Sequence, residues 1–393
     1  MSKTLQQWID TDVQAVRGQP ISRVMNFNPG PAALPLSALE RAREELLDFE
    51  GSGMSVMEHS HRGTVYEKVH AEATALVAEL LGTPLDTWDV LFVQGGASMA
   101  FAQIPLNFLG AGRTADYIVN GAWGEKALAE ARTIKAVGGG EPRVGATTRD
   151  EGKSYVRVPR QEELSLTKGA TYLHVTSNET IHGIEYGLQP ETPFPRADVP
   201  VVVDMSSDIL GRSIDASRFD LIYAGAQKNI GPSGVTLVAM KKEMTARGRK
   251  DIPTIFQYRT AADNQSLYNT PPTFGIYLVR NTLGWLEMQG GVTGMETRNR
   301  KKARAIYDAI EASGGFYRCP VEPACRSIMN VVWRLPTPEL EEIFVKEATT
   351  LKMVGLKGHR AVGGIRASLY NAVEPEWCEA LASFMKDFAE RKG

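Results

Sequence analysis

The chain has 393 residues, enough for two domains and at least one large buried core. Its 44 basic and 46 acidic residues leave a formal net charge of -2, so charge alone gives no reason to expect nucleic acid or an anionic membrane as a partner. The three cysteines form no Cys-x-x-Cys pair, which argues against a disulfide framework or a zinc site, and we predict no metal.

The first twenty residues do not resemble a secretory signal, because they contain Asp10 and Asp12 and lack a continuous apolar run. No stretch of the sequence approaches the roughly 20 apolar residues that a membrane-spanning helix needs. The few cysteines fit a reducing compartment. We therefore expect a cytoplasmic protein.

Short apolar runs alternate with amphipathic segments through the middle of the chain. We predict strands at Asp89–Gln94, Asp116–Asn120, Thr171–Thr176, Val199–Asp204, Leu221–Ala224 and Val235–Ala239, and helices at Val65–Leu81 and Glu125–Val137. Several strands are apolar throughout, which is typical of strands covered on both faces. The alternation predicts an α/β fold with a mostly parallel sheet flanked by helices, in which ligands bind beyond the carboxyl ends of the strands. The Gly- and Thr-rich stretch Gly138–Arg149 is predicted to be a surface loop.

The pattern changes after about Gly290. A basic helical stretch is followed by strand-like and helical segments: Glu296–Ser313, Ser327–Arg334, Glu339–Thr350, Gly364–Tyr370 and Glu376–Arg391. These indicate a smaller α+β domain. We predict three parts, namely an N-terminal segment (1–27) that packs with the small domain, a large domain (28–288) and the small domain (289–393).

Lys228 is the first candidate catalytic residue. It follows the apolar run Leu221–Ala224 closely and precedes a turn that contains Gly231 and Gly234. A lysine at a strand end that is partly removed from water has a lowered pKa and can attack a carbonyl carbon. Most lysines in such positions are merely solvated, so this segment alone does not distinguish the two interpretations.

Asp204 makes the catalytic interpretation of Lys228 more specific. It ends the run Val-Val-Val-Asp, and a parallel sheet delivers it to the same edge as Lys228. A carboxylate beside a pyridine nitrogen keeps that nitrogen protonated, which a pyridoxal cofactor requires. The alternative is an aspartate that caps the next turn, which is a common role.

Two further segments follow strands in the same way. Gly95 and Gly96 precede Ala97 and Ser98, where backbone N–H groups of a helix start could bind a phosphate. Trp123 follows another strand, and its indole could stack on a flat heteroaromatic ring. Each feature alone is weak, since most Gly-Gly turns only reverse the chain and most tryptophans belong to a core.

Five longer segments carry a resemblance to a known family: Met57–Gly63, Ser177–Gly183, Gly225–Gly234, Asn269–Phe274 and Gly358–Ser368. In sequence and order they resemble the phosphoserine aminotransferases, which are class V members of the fold-type-I pyridoxal-phosphate (PLP) enzymes. The match runs from Asn26 to about Ala372. The first twenty residues and the region Gly138–Tyr155 fall outside the family pattern.

The resemblance implies four contacts with the cofactor ring. Lys228 would hold PLP as a Schiff base and, once released by substrate, move a proton between the substrate Cα and the cofactor. Asp204 would pair with the pyridine nitrogen and Trp123 would stack on the ring. The hydroxyl of Thr180 would meet the phenolic oxygen.

The resemblance also implies a phosphate site shared within a homodimer. Ala97, Ser98 and Gln227 would face the cofactor phosphate, together with Asn269 and Thr270 of a second subunit. Some family members have an arginine where Ser98 stands, so phosphate binding here would depend on neutral donors.

A cationic substrate site is implied in the same way. Arg366 would bind the substrate α-carboxylate, while His359 and Arg360, with His61 and Arg62 of the second subunit, would surround the phosphate. Arginine grips both carboxylate and phosphate at two points. The implied reaction transfers an amino group between glutamate and 3-phosphohydroxypyruvate, giving O-phosphoserine and 2-oxoglutarate. Some family members also use phosphohydroxythreonine, and the sequence leaves that open.

Four other interpretations of the sequence fit less well. Another class V enzyme, such as an alanine– or serine–glyoxylate aminotransferase, would share the fold but would not need two His-Arg pairs. A cysteine desulfurase needs a reactive cysteine on a mobile loop, and neither Cys319 nor Cys325 lies in such a segment. A nucleotide hydrolase is excluded because the P-loop spacing before Gly152 requires a glycine where the chain has Thr147. A protein that binds no cofactor and only interacts with partners would not need Lys228 and Asp204 together.

Overall fold

The computed structural model describes residues 23–152 and 154–393. The strands are β1 (Met25–Asn26), β2 (Trp88–Val93), β3 (Thr114–Val119), β4 (Glu141–Thr147), β5 (Leu173–Thr176), β6 (Asn178–Glu179), β7 (Ile184–Glu185), β8 (Val201–Asp204), β9 (Leu221–Gly225), β10 (Thr236–Lys241), β11 (Asn330–Trp333), β12 (Met353–Val354) and β13 (Ile365–Ser368). The α-helices are α1 (Leu36–Glu44), α2 (Thr64–Leu81), α3 (Gly96–Phe108), α4 (Ala122–Ala136), α5 (Lys242–Ala246), α6 (Tyr258–Asp263), α7 (Thr273–Met288), α8 (Gly291–Ala312), α9 (Pro338–Thr350) and α10 (Pro375–Lys392).

The main sheet contains seven strands from the described part of the chain, in the order β2-β10-β9-β8-β5-β3-β4. β10 is antiparallel to both of its neighbours, and the other adjacent pairs are parallel. β5, β8 and β9 are buried along their whole length, which explains why their sequences are apolar without alternation. The predicted α/β fold with a mostly parallel sheet is confirmed.

The prediction of a surface loop at Gly138–Arg149 is wrong, because this stretch contains β4, which pairs in parallel with β3. Pro142 and Gly145 are typical of loops, but β4 is an edge strand, where one side of the backbone needs no strand partner. Gly145 falls where the pairing register with β3 shifts, so it occupies a bulge. The other predicted strands of the main sheet are present, with ends displaced by no more than two residues.

The C-terminal part of the chain packs beside the sheet, and its buried apolar residues continue the same hydrophobic core. α8 packs against α10, and β11 pairs in antiparallel fashion with β13. The rings of Phe344, Phe384 and Phe388 contact one another within that core. α7 ends at Met288 and α8 begins at Gly291, so the proposed boundary at 288/289 falls between two helices.

Most of the predicted N-terminal segment, residues 1–22, lies outside the described residues. Its last residues form β1, which pairs in parallel with β12 of the C-terminal part. No helix among the described residues is both long and apolar enough to cross a lipid bilayer.

A buried ionic network joins the end of the sheet to the C-terminal part. Nε of Arg212 lies 2.9 Å from Oε1 of Glu185, and its Nη2 lies 3.7 Å from Oδ2 of Asp208. The other oxygen of Glu185 accepts hydrogen bonds from the Ser327 hydroxyl and the Ile328 N–H, each at 3.0 Å. The three charged side chains are at most 5% exposed, so each depends on the others for the solvation that water would supply.

Arg212→Ala should therefore lower the free energy of unfolding by about 3–5 kcal/mol, because it leaves two buried carboxylates without their cation. Urea unfolding followed by circular dichroism measures this loss. Arg304→Ala is the control, since the pair Arg304–Asp308 is 81% and 62% exposed, and it should leave the unfolding midpoint unchanged. A loss for Arg212→Ala no larger than for the control would contradict the role of the network.

Candidate active site

Lys228 lies three residues beyond the end of β9 and projects towards Thr180 and Trp123. Its Nζ donates a hydrogen bond to Oγ1 of Thr180 at 2.9 Å and lies 5.0 Å from the centroid of the Trp123 ring. Burial lowers the pKa of Lys228, while the nearby carboxylates of Asp204 and Glu179 oppose that shift. A lowered pKa increases the fraction of neutral amine, which is the form that attacks a carbonyl carbon.

Hydrogen bonds to two other segments of the chain fix the turn that contains Lys228. The amide of the next residue, Asn229, donates to the carbonyl of Ile209 at 2.8 Å and accepts from the N–H of Asn371 at 3.0 Å. Gly30 approaches so closely that a Cβ there would lie 3.3 Å from Cγ of Lys228, and its φ of 134° also favours glycine. The lysine stem therefore has little room to move.

Asp204 ends β8, next to β9 in the sheet, and only 4% of its surface is exposed. Its Oδ1 accepts from the N–H of Ser206 at 2.9 Å and from the Ser206 hydroxyl at 2.6 Å, and that hydroxyl accepts from the N–H of Gly225 at 3.0 Å. Burial raises the pKa of Asp204, whereas Lys228 and the Ser206 bonds lower it. Oδ2 has no hydrogen bond within the described residues, so it can accept one from a protonated ring nitrogen.

The loop before α3 has the geometry of an anion site. Gly95 and Gly96 have φ values of 94° and 66°, and α3 begins at Gly96 without a side-chain cap. A side chain at Gly95 would collide with Met99, because an added Cβ would lie 2.3 Å from the Met99 Cβ. The N–H groups of the first turn, which include those of Ala97 and Ser98, have no partner within the helix and are suited to a phosphate.

A cavity of about 240 Å³ lies beside Arg366. Arg366 and His359 line it from the C-terminal part, and Tyr155 and His182 line it from the large sheet's side. Arg366 is buried, and its Nη1 donates to the carbonyl of Thr180 at 3.4 Å. Burial and the neighbouring Arg366, Lys126 and Arg360 lower the pKa of His359. This concentration of cations on one wall is suited to an anionic ligand.

These groups fit pyridoxal phosphate. Lys228 contacts the hydroxyl of Thr180 and the indole of Trp123 and interacts electrostatically with the buried carboxylate of Asp204, and each of these groups matches a part of the cofactor. Gln227 precedes Lys228 in the same turn and is half-buried. The residues that the sequence predicted for the ring therefore meet within one chain.

The structure does not bring every predicted residue to this cluster. Asn269, Thr270 and Arg62 are exposed, and His61 is half-buried. Across residues 23–152 and 154–393, no hydrogen bond or ion pair joins any of the four to Lys228, Thr180 or Asp204. Arg360 is exposed and follows His359 in the sequence, but it does not line the cavity.

Three residues near the site were missed by the sequence analysis: Tyr155, Glu179 and His182. Glu179 and His182 belong to the segment Ser177–Gly183, so a signal existed, but a sequence does not show which side chains of a short hairpin turn inwards. Tyr155 lies at the end of the region that departs from the family pattern. Its hydroxyl donates to Oε1 of Glu125 at 2.7 Å, and its ring contacts that of His182.

The chain is similar in sequence to a family of known enzymes. Residues 24–381 match the family model described as aminotransferase class-V. The phosphoserine aminotransferase of Niallia circulans is 52% identical over 371 residues, which cover 94% of this chain and 99% of that protein.

Solved structures agree with this similarity. The phosphoserine aminotransferase from Bacillus circulans subsp. alkalophilus gives a TM-score of 0.88 at 52% identity, and the match covers 94% of this chain and 99% of that one. A PLP-bound phosphoserine aminotransferase from Trichomonas vaginalis gives a TM-score of 0.86 at 38% identity, and covers 93% and 100% of the two chains. The similarity thus extends over nearly all of each protein.

Lys228→Ala tests the assignment of the nucleophile. After incubation with PLP and reduction with borohydride, peptide mass mapping should find the cofactor on Lys228 in the original protein, because this amine alone combines a lowered pKa with the Thr180 contact. The variant should carry no label. Lys126→Ala is the matched control, since Lys126 Nζ also lies over the Trp123 ring, at 4.2 Å. A label on Lys126 instead would contradict the assignment.

Proposed function

The chain belongs to the phosphoserine aminotransferases of the class-V aminotransferase family, and on this premise we propose how its side chains divide the work of the reaction. It is a PLP-dependent aminotransferase that exchanges the amino group between L-glutamate and 3-phosphohydroxypyruvate, giving 2-oxoglutarate and O-phospho-L-serine. One observation supports these roles above all. Lys228 contacts Thr180 and interacts electrostatically with Asp204, and the nearby cavity is lined by Arg366 and His359.

PLP, when bound, supplies an electron sink that stabilises negative charge at the substrate Cα. Asp204 would accept a hydrogen bond from the pyridine nitrogen and, as a carboxylate, would keep that nitrogen protonated. Thr180, which holds Nζ of Lys228 at 2.9 Å, is within reach of the phenolic oxygen. Trp123 covers one face of the ring and excludes water from it.

Lys228 has two roles in this proposal. Its Nζ would hold the cofactor between turnovers, and once released by substrate the same nitrogen would take the proton from the substrate Cα. Asp204 and Glu179 offset the effect of burial on this amine, so its pKa falls without the loss of all basicity. The bonds of Asn229 hold the turn, so the nitrogen returns to one position after each transfer.

The cations of the cavity divide between the two anionic groups of the substrate. Buried Arg366 binds the α-carboxylate, because it lies beside Thr180 and hence near the cofactor ring. His359 and Arg360, further out, bind the phosphate. Three positive neighbours lower the pKa of His359, and an arriving dianion relieves that repulsion. The side-chain carboxylate of glutamate uses the same place as the phosphate.

A homodimer completes the site. His61, Arg62, Asn269 and Thr270 have no bond to the Lys228 cluster within the described chain, and three of them are exposed. A second copy, placed with these residues over the cofactor and substrate sites of the first, would add two cations at the substrate phosphate and two polar groups at the cofactor phosphate. Ser98 supplies no charge there, so the cofactor phosphate depends on neutral donors.

The two remaining interpretations of the chain have weaker support. The cysteine desulfurase reaction needs a thiolate, but burial raises the pKa of Cys319 and Cys325, which favours the unreactive thiol. Alanine, serine and glyoxylate carry one carboxylate, which Arg366 would bind, so an alanine– or serine–glyoxylate enzyme would not need His359 and Arg360 as well. Free thiols also fit a cytoplasmic location.

Arg62→Ala should lower kcat/KM for O-phosphoserine by about 100-fold or more, because it removes one charge-assisted contact to a dianion. Cofactor affinity, measured by titration of the cofactor-free protein with PLP, should stay within about 3-fold, because Arg62 is assigned to the substrate alone. Exposed Arg304→Ala is the control and should change neither quantity. Equal loss of turnover and of cofactor affinity would contradict the role of Arg62.

Mixing variants tests whether the sites are shared. Arg62→Ala and Lys228→Ala, unfolded together and refolded, should recover about a quarter of the original activity, because half of the dimers are hybrids and each hybrid holds one complete site. Neither variant refolded alone should regain activity. Absence of recovery, with hybrid dimers present, would show that Arg62 acts within its own subunit.

A further inference from the structure

Glu179 is a buried carboxylate close to Lys228, and none of the roles proposed above accounts for it. It ends β6 and is 0% exposed. Its Oε2 accepts from the N–H of Trp123 at 3.0 Å, and its Oε1 accepts from the N–H of Gly124 at 2.9 Å. Both donors belong to the first turn of α4, where backbone N–H groups have no partner within the helix.

α4 has no cap of its own and takes one from Glu179. The residue before its first turn is Gly121, which makes no side-chain hydrogen bond to the helix. A Cβ at Gly121 would lie 2.2 Å from Cδ of Glu179, so glycine is what leaves space for the carboxylate. A negative group at this position also interacts favourably with the helix dipole.

The adjacent residues Glu179 and Thr180 contact two different parts of the proposed active site. Glu179 holds the backbone of Trp123, and the next residue, Thr180, holds Nζ of Lys228. Among the described residues Nε1 of Trp123 has no hydrogen bond, so no side-chain hydrogen bond fixes the indole, although Nζ of Lys126 lies 4.2 Å from the ring centroid. Its direction depends on the backbone bond to Glu179 and on packing against Phe101, whose ring centroid lies 6.4 Å away.

We propose that Glu179 is a positioning residue, which fixes the indole of Trp123 relative to Lys228 and whose charge helps to hold a proton on the nitrogen of Lys228. The inference deepens the proposed function and rests on it, because it concerns the same cofactor site. Glu179 touches neither substrate nor cofactor in this arrangement. It acts through Trp123 and through the electrostatic potential at Lys228.

The charges around Lys228 support an electrostatic role. Burial lowers the pKa of Lys228 and Arg366 lowers it further, while Asp204, Glu179 and Asp208 oppose that shift. Burial raises the pKa of Glu179 to about 7, and the two N–H bonds and Lys228 oppose that rise. Because a carboxyl group with a raised pKa is charged above that value, Glu179 contributes its negative charge above about pH 7.

Glu179→Gln separates charge from shape, since the amide fills the same space and keeps one acceptor oxygen for α4. The visible absorption band of the holoenzyme, titrated with pH, should show a midpoint lowered by about one unit, because one nearby negative charge is gone. The kcat for O-phosphoserine should fall by about 10-fold and KM should change by less than about 3-fold, as expected for a residue that does not touch the substrate.

Gly121→Ala tests the geometry with Glu179 intact. The added methyl group displaces the carboxylate, so this variant should shift the midpoint in the same direction. In the cofactor-free protein, the near-ultraviolet circular dichroism of Trp123, taken as the difference from Trp123→Phe, should weaken in Glu179→Ala and in Gly121→Ala. Glu130→Gln, also on α4, is the matched control and should change none of these signals.

An unchanged midpoint in Glu179→Gln and Gly121→Ala, with the tryptophan signal preserved, would overturn the proposal. A fall in thermal stability alone would overturn it too, because a simple helix cap would produce no more than that. Absence of a visible band in the unaltered protein would instead refute the proposed function, and the tryptophan signal of the cofactor-free protein would still test the positioning by Glu179.

Discussion

The active site depends on one electrostatic constraint, which is the placement of an amine among carboxylates away from water. Burial alone would discharge Lys228, and burial alone would protonate Asp204 and Glu179. Lys228 stabilises the charged form of each carboxylate and each carboxylate stabilises the charged amine, although Asp204 and Glu179 repel one another. The fold provides this arrangement, because β8 and β9 are adjacent and parallel and end at the same edge. The order of the strands therefore places the proposed catalytic lysine beside Asp204.

The surroundings of the cluster explain how these charges stay in place. The network of Glu185, Asp208 and Arg212 lies below it and ties the sheet to the C-terminal part through Ser327. This connection also affects the position of the substrate cavity. Arg366, which lines the cavity, belongs to the C-terminal part and donates a hydrogen bond to the carbonyl of Thr180. The residues proposed for the cofactor ring and the cations proposed for the substrate thus lie in different parts of the chain, which the contacts of Glu185 with Ser327 and of Arg366 with Thr180 join.

The sequence predicts those features that depend on local pattern. Apolar runs that end in Asp204 or lead to Lys228 showed which side chains reach the edge of the sheet, and the family motifs supplied their roles. The edge strand β4 was missed because Pro142 and Gly145 have the composition of a loop, and only the neighbouring β3 makes that stretch a strand. Glu179 was missed for a similar reason. Its partners, Trp123 and Gly124, lie more than fifty residues earlier, so no local pattern reveals the contact.

The most direct measurement is the visible absorption spectrum of the purified protein before and after O-phosphoserine is added, with alanine and serine as controls. A chain that binds PLP through Lys228 and recognises a dianion through its cationic cavity should show a cofactor band that O-phosphoserine bleaches and the controls do not. A band bleached by alanine would keep the chemistry and contradict the substrate assignment. Absence of any band after incubation with PLP would contradict the central role of Lys228.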